Sequence, residues 1–201
     1  MHQKTARVPL ALLTAALVIA APRAAHAQET GEWGQRAAVA ARSVARLAPA
    51  AFPGMPQNVR AELTGRGCSV PQTRVPGAAA SENNNAVHGN FAAAGQTDWA
   101  VLCSKHGTST VEIVWGGPAR CSVSIRPKAD KDVMMDYSTD PSKPEWSFDR
   151  SIEAVGLAGN QSVRWDLRTL RYQGINDAWE GGSATLVCRA GRWITVEEPV
   201  D

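Results

Sequence analysis

The chain has 201 residues, with 21 lysines and arginines against 19 acidic residues. Setting aside residues 1–27, which hold Lys4, Arg7 and Arg23 and no acid, leaves 18 basic side chains against 19 acidic ones. That balance excludes the basic excess that a nucleic-acid or anionic-membrane partner requires. The remaining 174 of the 201 residues suit one domain, and a chain of that size buries roughly 70% of its unfolded surface.

In chain order, residues 1–27 read as a secretory signal peptide. His2, Lys4 and Arg7 form a basic start, Val8 to Ala21 is apolar, Pro22 breaks that run, and Ala25-His26-Ala27 is a small-x-small cleavage site. The apolar run is too short for a stable membrane span. Gln28, not a cysteine, stands directly after the cleavage site, so no lipid or membrane anchor is expected. The product is expected to be periplasmic or secreted.

Residues 30–48 carry Trp33, Ala37, Ala40, Val44 and Leu47 at helical intervals, which predicts an amphipathic helix. Thr30 is the expected N-cap, and acids near the start and arginines near the end suit the helix dipole. A second helix is predicted over Pro56–Thr64, closed by Gly65 or Gly67. Residues 71–85, with two prolines and Asn83-Asn84-Asn85, read as a loop.

From Val87 the pattern turns to strands. Trp99–Cys103 and Thr110–Trp115 flank Ser104-Lys105-His106-Gly107 as a hairpin, and a third strand is expected over Arg120–Ile125. Residues 126–145 read as a long exposed connection. Asp130, Asp132, Asp136 and Asp140 lie in it without the glycine turn and closing glutamate of a calcium loop, so no metal is assigned. Trp146–Val155 reads as a strand, and Gln161–Leu170 as either a strand or a short helix. Ala184–Cys188 and Trp193–Val196 form a closing hairpin.

Four cysteines, Cys68, Cys103, Cys121 and Cys188, follow the expected cleavage site. An even count in an exported chain predicts two disulfides, with three connectivities open. Zinc is not expected, because no two cysteines stand two to four residues apart. The seven tryptophans are scattered along the chain, which favours core filling over a carbohydrate-stacking face.

Gly89-Asn90-Phe91 with Gly95-Gln96-Thr97-Asp98 and the following strand resembles one FG-GAP or VCBS-type repeat of integrin-like β-propellers, over residues 89–101. In such repeats the acidic loop holds calcium. Here Ala92 and Ala94 replace two of the oxygen-bearing positions, which removes too many ligands for that ion. A propeller also needs at least four blades, more than this chain can hold.

A wider likeness rests on Phe52–Pro56, Gly67–Gln72, Gly95–Cys103 and Gly174–Ala178. In these segments the chain resembles a family of exported bacterial proteins, for which the resemblance implies no activity. It does imply that Cys68 pairs with Cys103 and Cys121 with Cys188.

Each of Asp98 and Asp177 follows a glycine three residues earlier and precedes a hairpin. Together with Asn90, they are expected to fix turns by accepting backbone N–H bonds. His88 and His106 are the only imidazoles after residue 27, and neither a nucleophile elbow nor a phosphate-cradling loop is present. No catalytic or cofactor-binding residue is therefore assigned.

The resulting expectation is an α+β fold, with one domain over 28–201, helical over 28–70 and mainly β over 86–201. Two N-terminal helices are expected to pack on a mainly antiparallel β-sheet cross-linked by two disulfides. The functional expectation is a non-catalytic exported binding or envelope-associated protein with a protein or polysaccharide ligand. The alternatives are a small cell-wall-directed hydrolase and an inhibitor of an exported hydrolase.

Overall fold

An unbroken apolar run such as Trp99–Cys103 needs a strand covered on both faces, since successive side chains point to opposite sides. The structure, a computed structural model, provides that cover. It describes residues 23–73, 83–158 and 166–199. The basic start and apolar run of the expected signal peptide lie outside the described residues, as do residues 74–82 of the expected loop and 161–165 of the ambiguous segment.

Helix α1 spans Arg23–Ser43, β1 Arg46–Leu47, α2 Gln57–Gly65, and β2 Val70–Pro71, which pairs with β1. The first large sheet contains β3 (Ala86–Gly89), β4 (Asp98–Lys105), β5 (Thr108–Val114) and β6 (Ser124–Ala129), in that order. A short pair, β7 (Met134–Asp136) and β8 (Trp146–Phe148), follows. The second large sheet has the order β12-β11-β10-β9, with β9 at Ser151–Gly156, β10 at Gln173–Trp179, β11 at Gly182–Arg189 and β12 at Arg192–Pro199. All pairings are antiparallel, and the strands divide between these sheets instead of forming one.

One face of β4 carries Ala100 and Leu102 into a cluster with Val111 and Ile113 of β5, Ala37 and Ala41 of α1, and Ile175 and Leu186 of β10 and β11. The opposite face puts Trp99, Val101 and Cys103 against Phe52, Met55, Val59, Leu63 and Val70. The first cluster is shared by both large sheets. The second belongs to the α2 segment and the first sheet.

Several sequence expectations are corrected. Helix α1 starts at Arg23, so Thr30 lies inside it and does not cap it, and it stops at Ser43, before the predicted end at 48. Beyond Ser43 the chain turns into β1, and the Arg46 guanidinium bonds the Ala41 carbonyl at 2.8 Å and the Val44 carbonyl at 3.1 Å. Arg46 thereby satisfies carbonyls that the helix end leaves without partners. Trp33, placed on the buried stripe, is 44% exposed and leans on Trp146, with ring centroids 5.3 Å apart.

The third strand starts at Ser124, not Arg120. The β5–β6 register shifts between Ser109 and Val111, a β-bulge in which Arg126 takes φ +57°. The supposedly exposed stretch 126–145 contains the end of β6, all of β7 and a fully buried Asp130.

Candidate functional site

The exit of α2 and the tip of the β4–β5 hairpin form a cleft of about 240 Å³. Helix α2 ends in two bonds, Gly67 N–H to the Thr64 carbonyl at 2.9 Å and Cys68 N–H to the Leu63 carbonyl at 3.0 Å. These make a Schellman closure that needs a left-handed residue after the cap, and Gly67 at φ +75° supplies it. Cys68 is thereby delivered to β4, where it is bonded to Cys103. Opposite, His106 at φ +51° and Gly107 at φ +76° make the two-residue turn that a tight hairpin requires.

Charge around the cleft is mostly internally spent. Arg66 donates to Glu112 at 2.9 Å, to the Ile113 carbonyl at 3.1 Å and to Glu62. The second oxygen of Glu112 accepts from the Ser124 hydroxyl at 2.7 Å. Lys105 arches over the α2 exit, with its ammonium 3.3 Å from the Arg66 carbonyl. His106 is exposed at the rim.

The structure places Asp98 at the start of β4, fully buried. Its carboxylate accepts from Phe91 N–H at 3.1 Å, Gly116 N–H at 2.9 Å and the Gln96 amide at 2.7 Å. Asn90 donates to the Gln96 carbonyl at 2.9 Å. Asp98 thus ties its own loop to the turn after β5, and Asn90 holds the loop as a donor, not as the expected acceptor. Asp98→Ala strands the buried Phe91 N–H, at about 1–3 kcal/mol, and also removes the acceptor shared by the Gly116 N–H and the Gln96 amide. The expected outcome is a melting temperature lower by roughly 5–15 °C for a domain of this size. An unchanged thermal melt would remove the structural role.

Asp177 is a correction. It lies inside β10, opposite Ile152 and Ala184, and fixes no turn. Its carboxylate instead forms a two-point ion pair with fully buried Arg150, at 2.7 and 3.0 Å. The remaining Arg150 donors reach the Ser109 carbonyl at 2.8 Å, its hydroxyl at 3.1 Å and the Arg126 carbonyl at 2.7 Å. The bulge at Arg126 turns that side chain onto Asp177 at 3.3 Å and Glu197 at 2.6 Å. Lys128 sits 3.6 Å from the centre of the Trp179 ring, and burial together with the nearby Arg126 cation lowers its pKa.

Other polar junctions also escaped the sequence reading. Asn85, at φ +67° and buried, donates to the Pro71 carbonyl at 2.7 Å and the Arg150 carbonyl at 3.2 Å. It accepts from Ile152 N–H at 3.2 Å, so one amide joins β2, β3 and β9. Asp130 accepts from Arg46 at 2.9 Å and from the Ser104 hydroxyl. No spacing pattern announces these contacts, because their partners lie 14 to 84 residues apart.

The remaining candidates disperse. Asp132 pairs with Lys131, and Asp136 accepts backbone N–H bonds from Ser138 and Glu145. Bonds from Ser142 hold the Asp140 carboxyl below its usual range. Among the described residues no three His, Cys, Asp or Glu gather in a metal-holding group. Trp99 is buried beside His88; Trp115 and Trp193 stack with centroids 5.9 Å apart and pack, like Trp146 and Trp179, against the main core cluster. Trp165 lies outside the described residues.

Cys121 is bonded to Cys188, which completes the second disulfide. No described helix is long and apolar enough to cross a membrane. The site therefore belongs to a disulfide-cross-linked protein whose described residues form two α-helices and antiparallel sheets. No family model, curated protein or solved structure matches the chain.

Proposed function

We propose that this is a non-catalytic exported protein, periplasmic or secreted, that binds an envelope-associated protein or polysaccharide. The two N-terminal helices act as cover for the sheets, and the cleft at the β4–β5 tip is the contact site. The observation that carries this reading is the chemistry of the cleft lining. It offers donors from Lys105 and His106, and its one carboxylate, Glu112, is held by Arg66 and Ser124. Glycoside hydrolysis by the common route needs two carboxylates facing each other across the bond to be broken. A carboxylate clamped on both oxygens is poorly placed for proton transfer but well placed to keep Arg66 in position.

The test is a titration of the isotope-labelled, oxidised protein with soluble cell-wall fragments and acidic oligosaccharides, followed by NMR. Binding is expected to move the amide signals of Lys105, His106 and Thr108, and Lys105→Gln is expected to weaken it about tenfold, the scale of one charge-assisted bond. Release of reducing ends from the same polymers, abolished in Glu112→Gln, would replace this reading with the hydrolase.

A further inference from the structure

The two disulfides sit in different surroundings, and the difference has chemical consequences. Cys121 is 8% exposed and Cys188 2%, with Cys188 inside β11 opposite Trp193. Cys68 and Cys103 both line the cleft. Cys103 is held in β4 at 5% exposure, whereas Cys68 lies half-buried in the loop after α2. The Lys105 side chain passes over that loop, its ammonium 3.5 Å from the point where a side-chain carbon on Gly67 would stand.

We infer that Cys68–Cys103 is a thiol-exchange site, open through the cleft to a dithiol reductant attacking as its thiolate, while Cys121–Cys188 is a fixed structural bond. The inference does not depend on the cleft binding a polysaccharide or protein. Exchange proceeds by attack of a thiolate on a disulfide sulfur, and its rate depends on access and on the acidity of the leaving thiol. A nearby cation favours both the approaching thiolate and the departing one. Lys105 and Arg66 face this space, but Arg66 is shared between Glu112 and Glu62, so the cation that serves the sulfurs is Lys105.

In the first step the incoming thiolate attacks Cys68 Sγ. A new S–S bond forms, the Cys68–Cys103 bond breaks, and its electron pair leaves on Cys103 as a thiolate. In the second step the other thiol of the reductant, as its thiolate, attacks the reductant sulfur bound to Cys68 and releases Cys68 as a thiolate. The reductant becomes a disulfide and the protein pair gains two electrons; both cysteine thiolates then equilibrate with protons from water.

The exchange is also built to reverse. Ser104 N–H bonds the Ser69 carbonyl at 2.7 Å, and the Ser69 hydroxyl bonds the Ser104 carbonyl at 2.7 Å. These bonds lie one residue beyond each sulfur and do not involve it. They keep Cys68 beside Cys103 after reduction, so reoxidation needs no search through chain conformations.

The experiment treats the oxidised full chain with graded dithiothreitol, alkylates free thiols at intervals, and maps them by peptide mass. The expected result is an early species alkylated at Cys68 and Cys103 alone, with unchanged circular dichroism. Lys105→Gln is expected to slow its appearance at least threefold, with the Cys121–Cys188 rate unaltered. Appearance of all four thiols together, or of Cys121 and Cys188 first, overturns the inference. An unchanged rate in Lys105→Gln overturns the role given to the cation.

Discussion

Arg150→Met is expected to lower the unfolding free energy by about 3–5 kcal/mol, the range for breaking a buried ion pair on one side. Arg150 and Asp177 are both fully buried, so neither can recover its hydration once the other is gone. The methionine also strands the Ser109 and Arg126 carbonyls, which Arg150 bonds at 2.8 and 2.7 Å. Arg126 remains 3.3 Å from Asp177, but it is shared with Glu197 and cannot replace the lost two-point contact. Removing both charges, as Arg150→Met with Asp177→Val, is expected to recover much of the loss, because well-packed apolar side chains match or exceed a buried pair. Urea unfolding checks both, through a midpoint that moves while the slope holds. A single variant within about 1 kcal/mol of the parent would remove the pair from the list of structural determinants.

The location of that pair explains what could be read from sequence and what could not. The β4–β5 tip was legible because His106-Gly107 is a two-residue turn set between apolar runs, and both residues adopt positive φ. The α2 exit was legible in the same way, since Gly67 follows a short amphipathic stretch and closes the helix. Asp98 belongs with these, as its acceptor contacts to Phe91 and Gln96 lie seven residues away or fewer.

Asp177 shares with Asp98 the glycine three residues before it but not the outcome. Its glycine, Gly174, is inside β10, and its partner Arg150 stands 27 residues earlier in another strand connection. A short motif reports only on contacts that close within it. The cleft divides along the same line. Cys68 and Cys103 announce themselves by residue type, whereas Arg66 matters through Glu112, 46 residues on. Pairing of the cysteines was not contained in their spacing, which leaves three connectivities open. The prolines and mixed charge of 126–145 predict a solvated Asp130, and its neighbours Lys131 and Asp132 are indeed exposed, yet Asp130 points inward to Arg46. Asp130 opens a short 3-10 turn directly after β6, so its direction follows from that turn and from the bulge at Arg126 before it, not from local composition.

Loss of the Cys121–Cys188 bond, by Cys121→Ser with Cys188→Ser, is the second large effect expected. The bond closes a segment with a sequence separation of 67, against 35 for Cys68–Cys103. In the chain-entropy description the longer loop contributes about 4.4 kcal/mol and the shorter about 3.8 kcal/mol, because the dependence on length is logarithmic. Local geometry around Cys121 does not rest on the bond alone. Trp193 Nε1 donates to the Ser122 carbonyl at 3.0 Å, and Gln96 makes two bonds to the Ala119 backbone, at 2.7 and 3.2 Å. The native arrangement therefore persists without the disulfide, and the loss falls mainly on the unfolded state, which regains the freedom of the opened loop. Calorimetry is expected to show a melting temperature lower on the order of 10 °C, with native circular dichroism below the transition. The corresponding pair of substitutions at Cys68 and Cys103 is expected to cost slightly less. The bond that matters more for stability is thus the one a thiol reaches last, and the one open to exchange can be cut while the other keeps the two sheets joined. A Cys121→Ser with Cys188→Ser protein that melts with the parent would break that division of labour.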